Sequence, residues 1–238
     1  MDVSSDKAAE YIVDRFSFFS DEEDDDDMQE VEVADIELPS EFRCLTGREE
    51  SMAAQPYLKY ARRRGLTDEL IRKYNIGYCL TGRYAKRLIV PVYHFGKVVN
   101  FVARTIGILE PKVLTPPGNE QSQFCFNLDN IWGAKEVLVV EGVFDALVLP
   151  DKAVATFGKK ISKAQVALLK TAGVETVTFC YDEDAIVEAY DFANTYLFQL
   201  NSRLIELPPG EDPSSLGREQ MLKLVKTAKV IRPGTLRV

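Results

Sequence analysis

The chain has 238 residues, of which 46% are hydrophobic, and a net charge of −8 at pH 7. This apolar content can build one medium-sized domain or two small ones with hydrophobic cores, so the chain is neither fibrous nor dependent on disulfides. No apolar run reaches the roughly 18 to 20 residues that cross a bilayer, and the acidic N-terminus lacks the basic region of a secretory signal. The sequence therefore predicts a cytoplasmic protein that has no membrane partner.

Cysteine and histidine are too sparse for a zinc site. The four cysteines include no C-x-x-C pair, and His94 is the only histidine. Structural zinc sites need closely spaced cysteine and histidine pairs. We therefore expect no zinc site in this chain and interpret the cysteines as free, buried thiols.

Charge is distributed unevenly along the chain. Residues 1–50 contain 18 acidic and 4 basic residues, a balance of −14, whereas residues 51–112 contain 12 basic and 3 acidic residues, a balance of +9. The seven consecutive acids at 21–27 repel one another, which predicts a largely disordered tail over residues 1–41. This tail could be simply solvated, could dock a partner, or could mimic nucleic acid. The basic segment suits a phosphate-rich ligand.

Residues 42–132 are predicted to form a small, basic α+β subdomain that begins with two helices. Pro56 is typical of a helix N-terminus and predicts a helix over residues 57–64. Thr67 is a good N-cap and predicts a second helix over residues 67–74. The arginines at 62–64 are interpreted as a solvated face of the first helix, with phosphate contact as the alternative.

A β-hairpin should follow these helices. Two extended runs at 87–95 and 97–104 are joined at Gly96, which is typical of a tight hairpin turn. Pro91 cannot donate to a strand ladder, so it indicates an edge or a β-bulge.

From residue 133, strands alternate with helices, which predicts a parallel α/β domain over residues 133–216. A C-terminal helix and tail should occupy residues 217–238. The predicted strands are 136–140, 153–156, 176–180 and 203–206. One predicted helix begins at residue 144, and the others span residues 162–171, 185–200 and 218–228.

Carboxylates follow several of these strands. Glu141 ends the first strand, Asp182 ends the third, and Asp212 follows the fourth. Asp145 lies four residues after Glu141, and Asp184 lies two residues after Asp182. Because the carboxyl ends of parallel strands meet at one sheet edge, we expect these acids to converge there. A divalent cation would remove their mutual repulsion, and Mg²⁺ prefers such ligands. The sequence therefore predicts a magnesium site.

Each carboxylate also has a structural interpretation. Asp145 and Asp184 could each be a negative group that stabilises a helix N-terminus, and Asp212 could belong to an Asp-Pro turn. Lys159 and Lys160 follow the second strand at the same edge, where they could reach triphosphate oxygens. A plain surface loop is the alternative for these two lysines.

The carboxylate motifs resemble those of the Toprim domain, in particular in the bacterial and phage primases of the DnaG type. Further blocks upstream occur in the order of the N-terminal subdomain of the primase core, so the resemblance covers about residues 50–216. The carboxylate pattern alone is shared with topoisomerases and some nucleases. The motifs are Glu141-Gly-x-x-Asp145, Tyr181-Asp-Glu-Asp184 and Gly210-Glu-Asp-Pro213, and the upstream blocks are 57–66, 76–78, 87–91, 96–104 and 111–116.

The resemblance implies a Toprim fold, a Rossmann-like parallel sheet with flanking helices, preceded by the small α+β primase subdomain. It implies a primase core: a DNA-directed RNA polymerase that makes short RNA primers on single-stranded DNA during DNA replication. Ribonucleoside triphosphates would be its substrates, and Mg²⁺ or Mn²⁺ its cofactor. A phage origin is the preferred interpretation, with action in the cytoplasm of a bacterial or phage-infected cell.

The resemblance also implies roles for individual residues. Glu141, Asp182 and Asp184 would be catalytic metal ligands. Arg104 and Lys112 would belong to a basic ridge that holds template or nucleotide, and Arg87 would join them or be an exposed cation. The complete set of implied metal ligands is Glu141, Asp145, Asp182, Asp184 and Asp212.

Two departures from the family keep other functions open. Ser214 stands where the family usually has a second acid after Asp-Pro, and Asp182-Glu-Asp-Ala-Ile replaces the usual Asp-Gly-Asp-x-Ala-Gly. The number of metal ions is therefore open. No zinc-binding or helicase domain is recognised, so a replicative helicase and a separate zinc-binding or template-recognition module are expected as partners. The alternatives are a Toprim nuclease and a non-catalytic nucleic-acid-binding module of a replication complex; a topoisomerase is disfavoured because its tyrosine-bearing domain would not fit.

Overall fold

The computed structural model describes residues 36–48, 51–182, 185–232 and 234. Most of the predicted acidic tail, and Asp184 at the predicted site, therefore lie outside the described residues. Within them, no helix is long and apolar enough to cross a membrane.

The N-terminal part contains a five-stranded antiparallel sheet in the order β1-β2-β3-β4-β5, with two helices packed on it. Thr67 begins the second helix as predicted, since its hydroxyl oxygen accepts a hydrogen bond from the Leu70 backbone N–H at 3.3 Å. The elements are β1 (Phe42–Cys44), α1 (Gln55–Arg63), α2 (Asp68–Lys73), β2 (Gly77–Cys79), β3 (Arg87–His94), β4 (Lys97–Thr105) and β5 (Val113–Leu114).

The predicted hairpin is formed by β3 and β4. Both turn residues, Phe95 and Gly96, have left-handed backbone angles (φ of 54° and 76°), as tight hairpin turns require. The Asp129 carboxylate accepts hydrogen bonds from their N–H groups at 2.7 and 2.9 Å and so holds the turn. The interpretation of Pro91 is also confirmed. It lies beyond Ile89, the last β3 residue paired with β2, and just before a register shift between residues 92 and 93.

The second part is a sheet in the order β10-β9-β8-β6-β7, in which β9, β8, β6 and β7 are parallel and β10 is an antiparallel edge strand. The α/β fold class is confirmed. Two short 3₁₀ helices, at Gln121–Gln123 and Leu128–Ile131, lead into this sheet. Its elements are β6 (Glu136–Val140), α3 (Val143–Val148), β7 (Ala153–Ala155), α4 (Lys163–Thr171), β8 (Thr176–Phe179), α5 (Ile186–Thr195), β9 (Asn201–Leu204), α6 (Pro213–Val225) and β10 (Lys229–Val230).

The last helices differ from the predictions at their ends. Helix α5 stops at Thr195 rather than at residue 200. Helix α6 begins at Pro213 rather than at residue 218, because Asp212 caps a first turn that Gly217 then interrupts with a non-helical φ of 71°. The sequence pattern predicted only the part of α6 after this break.

A continuous hydrophobic core joins the two sheets. Leu88 and Val90 of β3 belong to the same buried cluster as Leu138 and Val140 of β6 and Phe144 of α3. A second cluster packs α4 and α5 on the opposite face of the parallel sheet, and a third covers the outer face of the antiparallel sheet. The parallel sheet and its strand-end loops are therefore held directly against the basic N-terminal part.

Asn127 reinforces this junction with hydrogen bonds. It is buried in a left-handed conformation (φ of 71°), and its side-chain oxygen accepts a hydrogen bond from the Tyr74 hydroxyl at 2.9 Å. Its amide nitrogen donates to the backbone oxygens of Asp151 at 2.9 Å and Ala153 at 2.7 Å. One side chain thus connects α2 to the segment that forms β7.

Candidate metal and nucleotide site

A pocket of about 340 Å³ lies at the carboxyl ends of the parallel strands. Its walls come from the residues that directly follow β6, β7 and β8 and from the start of α6. Ligands bind at this edge in open α/β sheets. The lining residues are Glu141, Gly142, Asp145, Phe157, Gly158, Cys180, Asp182, Asp212 and Pro213.

Four of the five predicted metal ligands line this pocket. Glu141 follows β6 directly, Asp145 lies in the first turn of α3, Asp182 follows β8, and Asp212 precedes α6. They are separated along the chain by up to 71 residues, yet the parallel strands bring them to one edge. The fifth, Asp184, lies outside the described residues. Their role as metal ligands stays a prediction.

Gly142 gives Asp145 the space to turn towards the strand end. A Cβ atom at Gly142 would lie 2.7 Å from the Asp145 Oδ2 atom, closer than real side chains approach. The backbone angles of Gly142 (φ −106°, ψ 146°) are ordinary, so glycine is needed here for close approach and not for an unusual conformation. Asp145 lies in the first turn of α3, where the helix dipole favours an acid, so it also fits the interpretation that it stabilises a helix N-terminus.

Asp212 has a structural role as the N-cap of α6. Its Oδ1 atom accepts a hydrogen bond from the Ser215 N–H at 2.7 Å, and the Ser215 hydroxyl accepts one from the Asp212 N–H at 3.0 Å. This capping box replaces the simple Asp-Pro turn considered from the sequence. Asp212 also lines the pocket, so this residue both caps α6 and lies beside the other acids.

The donor chemistry of the pocket suits Mg²⁺ or Mn²⁺. In the part of the chain that the structure describes, no three His, Cys, Asp or Glu side chains are close enough to enclose an ion by themselves. Mg²⁺ usually needs only one or two carboxylates, together with water and substrate phosphate oxygens. Cys180 also lines the pocket, but burial raises the pKa of its thiol far above the usual range, which leaves it protonated and a poor ligand.

The other cysteines agree with the sequence interpretation. All four are free, and three of them (Cys79, Cys125 and Cys180) are buried. Burial raises the pKa of Cys79 to about 11 and that of Cys125 to about 12. These thiols are therefore small packing groups rather than nucleophiles.

Lys159 and Lys160 lie in the loop after β7, next to the pocket residue Gly158. Lys159 is half-buried and Lys160 is exposed. The buried Gln165 side chain of α4 holds the start of this loop by donating to the Thr156 backbone oxygen at 2.9 Å. Both lysines therefore follow a loop whose first residue is held in place, and their role as triphosphate ligands stays a prediction.

Arg87 is not the exposed cation considered as its alternative. Its side chain is 3% exposed, and its guanidinium donates to the backbone oxygens of Pro111 at 2.8 Å, Lys112 at 3.2 Å and Ala103 at 3.3 Å. Burial lowers the pKa of Arg87, and the charge of Glu110 partly opposes this shift. Arg87 therefore fixes the segment before β5; its nucleotide-binding role remains a prediction.

Arg104 lies in β4 and Lys112 just before β5, and the two residues differ in exposure. Arg104 is half-buried and lies opposite Val113 in the β4–β5 pair. Lys112 is exposed, and its backbone oxygen accepts from the Thr105 N–H at 3.0 Å. The membership of both cations in one basic ridge stays a prediction.

Arg64 is a cation whose setting the sequence did not predict. Arg62 and Arg63 are exposed as expected, but Arg64 is half-buried. Its guanidinium carbon lies 5.6 Å from the ring centroid of Tyr60 and 5.8 Å from that of Phe144, the residue before Asp145. The spacing of Tyr60 and Arg64 by four residues was the available signal for the first of these contacts.

Comparisons with known proteins agree with this architecture. A Toprim-like family model matches residues 138–216, which include all four described pocket acids. The DNA primase of Synechococcus elongatus is 34% identical over 152 residues, covering 55% of this chain and 22% of that protein. The DNA primase of Geobacillus stearothermophilus is 27% identical over 208 residues, covering 67% of this chain and 34% of that protein. The chain thus spans well under half the length of these relatives.

Solved structures extend the likeness to the basic N-terminal part. A DnaG primase catalytic domain bound to single-stranded DNA is 25% identical, with a TM-score of 0.67, and the match covers 76% of this chain and 74% of that one. The Escherichia coli primase catalytic core is also 25% identical, with a TM-score of 0.66 and 76% of each chain covered. The chain is therefore similar in sequence and fold to the catalytic core of bacterial DnaG-type primases, and its residues 138–216 are Toprim-like.

Proposed function

We propose that this chain is the catalytic core of a DNA primase, a DNA-directed RNA polymerase that makes short RNA primers on single-stranded DNA from ribonucleoside triphosphates. The observation that carries the proposal is the pocket lined by four carboxylates at the carboxyl edge of a Toprim-like domain that is packed against a basic subdomain. Nucleotidyl transfer depends mainly on positioning and charge neutralisation, and this pairing of acidic and basic groups supplies both.

The pocket acids would hold Mg²⁺ or Mn²⁺ in this proposal. Glu141 and Asp182, with Asp184, are the assigned catalytic ligands, and Asp145 and Asp212 are the supporting ones. A bound ion would supply Lewis-acid stabilisation of phosphate charge and would lower the pKa of the attacking hydroxyl group. The absence of a preformed three-ligand cluster in the described residues fits an ion that completes its coordination with water and triphosphate oxygens.

The basic side chains would bind phosphate. Lys159 and Lys160 lie at the edge that carries the pocket and are assigned to the incoming triphosphate. Arg104 and Lys112 are assigned to the template backbone, as point charges that give affinity without base specificity. Arg87 would contribute by holding the segment that carries Lys112.

Further partners belong to the same proposal. A replicative helicase and a separate zinc-binding or template-recognition module would supply loading and start-site selection. The proposed setting is the cytoplasm of a bacterial or phage-infected cell.

Asp182→Asn tests the assignment directly. This substitution keeps the size of the side chain and removes one ligand charge, so we expect at least a roughly hundredfold loss of primer synthesis on single-stranded DNA with Mg²⁺ or Mn²⁺. Asp191→Asn, on the exposed face of α5, is the matched control and should retain full activity. Full activity of Asp182→Asn would refute the catalytic assignment.

Ser214 favours one rival, a non-catalytic module that binds nucleic acid within a replication complex. In that case the wild-type protein would bind single-stranded DNA but would show no magnesium-linked binding of ribonucleoside triphosphates by calorimetry. The primer assay with labelled DNA also separates synthesis from nuclease action, because synthesis produces new RNA whereas a nuclease shortens the substrate.

A further inference from the structure

The Tyr181 hydroxyl group lies behind the pocket without a hydrogen-bond partner in the described part of the chain. Tyr181 is only 1% exposed, and its ring packs against Phe179 with the centroids 5.1 Å apart. It stands between Cys180 and Asp182, which both line the pocket. A buried hydroxyl that lacks a partner is unfavourable, so its retention calls for an explanation.

The groups around this hydroxyl are acidic. Burial is the main cause that raises the pKa of Tyr181 above its usual range, and the charges of Glu141 and, to a smaller extent, Glu188 add to it. The Thr156 hydroxyl is close enough to lower this pKa, but no hydrogen bond of ordinary geometry joins the two groups. Carboxylates can only accept hydrogen bonds, so the Tyr181 hydroxyl is the group that would donate to them.

Thr156 is already engaged in holding the pocket together. Its hydroxyl donates to the Gly158 backbone oxygen at 2.9 Å and lies 3.4 Å from the Val140 backbone oxygen. Its N–H also donates to Val140 at 3.1 Å. Thr156 thus ties the residue before Glu141 to the loop that carries Lys159, and its hydroxyl proton is directed at backbone oxygens rather than at Tyr181.

We propose that Tyr181 is a positioning residue for the pocket, which donates its hydroxyl proton to the Glu141 carboxylate when a divalent cation is bound. The hydrogen bond would satisfy the buried donor and would leave the other oxygen of Glu141 directed at the cation. Carboxylates that bind metals are commonly oriented in this way by a second hydrogen-bonding side chain. This inference rests on the proposed metal-binding function of the pocket.

Because the hydroxyl has no partner without metal, Tyr181→Phe should affect the stability of the metal-free protein and the affinity for metal differently. Without metal, the substitution removes only a buried donor that has no partner, so the midpoint of thermal unfolding should stay the same or rise. With metal, the stabilising hydrogen bond is lost, and the Mn²⁺ affinity measured by isothermal titration calorimetry should fall by about 10- to 100-fold. A purely structural tyrosine would instead lower the unfolding midpoint and leave the Mn²⁺ affinity unchanged.

Two further variants serve as controls. Tyr57 is a buried tyrosine whose hydroxyl does donate, to the Cys79 backbone oxygen at 3.0 Å, so Tyr57→Phe should lower the unfolding midpoint and leave Mn²⁺ affinity unchanged. Glu188 also has a buried carboxylate oxygen with no partner among the described residues, and Glu188→Gln should leave Mn²⁺ affinity unchanged. An equal loss of affinity in Glu188→Gln would overturn the assignment of Glu141 as the acceptor.

The outcomes separate this inference from the function on which it rests. If the wild-type protein binds Mn²⁺ and Asp182→Asn does not, the metal site stands. Unchanged affinity in Tyr181→Phe would then overturn the role of Tyr181 alone. If the wild-type protein shows no saturable Mn²⁺ binding, both the metal site and the role of Tyr181 are refuted.

Discussion

Gly142 sets the conformation of the acidic pocket at the level of single atoms. The Asp145 carboxylate lies so close to Gly142 that a Cβ atom at residue 142 would lie 2.7 Å from its Oδ2 atom and would force the carboxylate to shift. The same pocket contains Gly158, where an added Cβ would meet nothing within 4 Å. The two glycines therefore offer a paired test of whether the position of Asp145 matters.

We expect Gly142→Ala to reduce primer synthesis by about tenfold or more, because the new methyl group displaces the Asp145 carboxylate. Gly158→Ala adds the same methyl group to the same pocket without a collision, so its activity should stay close to that of the wild-type protein. Activity should be measured beside circular dichroism to verify folding. Equal effects of the two substitutions would show that close approach at residue 142 is not what the pocket requires.

Some contacts of individual residues could be predicted from the sequence and others could not. Glu141 and Asp182 were visible because each directly follows an apolar run, and they line one pocket with Asp145 and Asp212. The burial of Arg87 was not visible, since its acceptors are backbone oxygens 16 to 25 residues away that any sequence would provide. The role of Thr156 was hidden for the same reason, and that of Tyr181 because its expected partner lies on another strand.

At the scale of elements, the hairpin and the alternation of strands and helices were predictable because their signals are local. The Gly and Pro signals of loops and the periodicity of apolar residues occur within a few positions of the elements that they define. Helix ends were less predictable. The start of α6 depends on a capping box and a break at Gly217 that divides one helix into two short pieces. Asp212 therefore acts on the structure as well as on the proposed chemistry.

Asp212 can be tested so that its two roles separate. Asn is as good an N-cap as Asp but has no charge, so Asp212→Asn should keep the stability of the protein and weaken Mn²⁺ binding. Asp212→Ala removes both the helix cap and the charge, so it should weaken Mn²⁺ binding and also lower the free energy of unfolding by about 1 kcal/mol. Calorimetry with Mn²⁺ and urea denaturation measure the two effects. Unchanged Mn²⁺ affinity in both variants would leave Asp212 with the capping role alone.

At the scale of the whole molecule, charge is divided between an acidic N-terminus and a basic body. Residues 1–35 contain 14 acidic and 2 basic residues, a balance of −12, which leaves +4 on residues 36–238. The first described residue, Ile36, is attached to the antiparallel sheet, since its N–H donates to the Val98 backbone oxygen at 3.0 Å. The acids at 21–27 are thus joined by a short stretch of chain to the part with the most basic residues.

We expect removal of residues 1–35 to tighten binding of single-stranded DNA roughly tenfold at low salt, because a net charge of −12 that repels DNA is removed from the chain. The difference should shrink as salt rises and screens that charge. Fluorescence anisotropy at several salt concentrations measures this. A full-length variant with residues 21–27 changed to Asn and Gln should behave like the deletion. Identical affinities of all three proteins would identify the acidic run as a solvated tail with no effect on the body.

The hydrophobic core shared by the two sheets has a consequence for how this protein can change. Leu138, Val140 and Phe144 are buried against the antiparallel part, so a Toprim-like fragment cut out at residue 133 would expose an apolar face to water. Such a fragment should aggregate, and exchange of either half with that of a distant relative should fail unless the contact face is exchanged with it. The acidic pocket and the basic N-terminal part are therefore inherited together, as one cooperative folding unit.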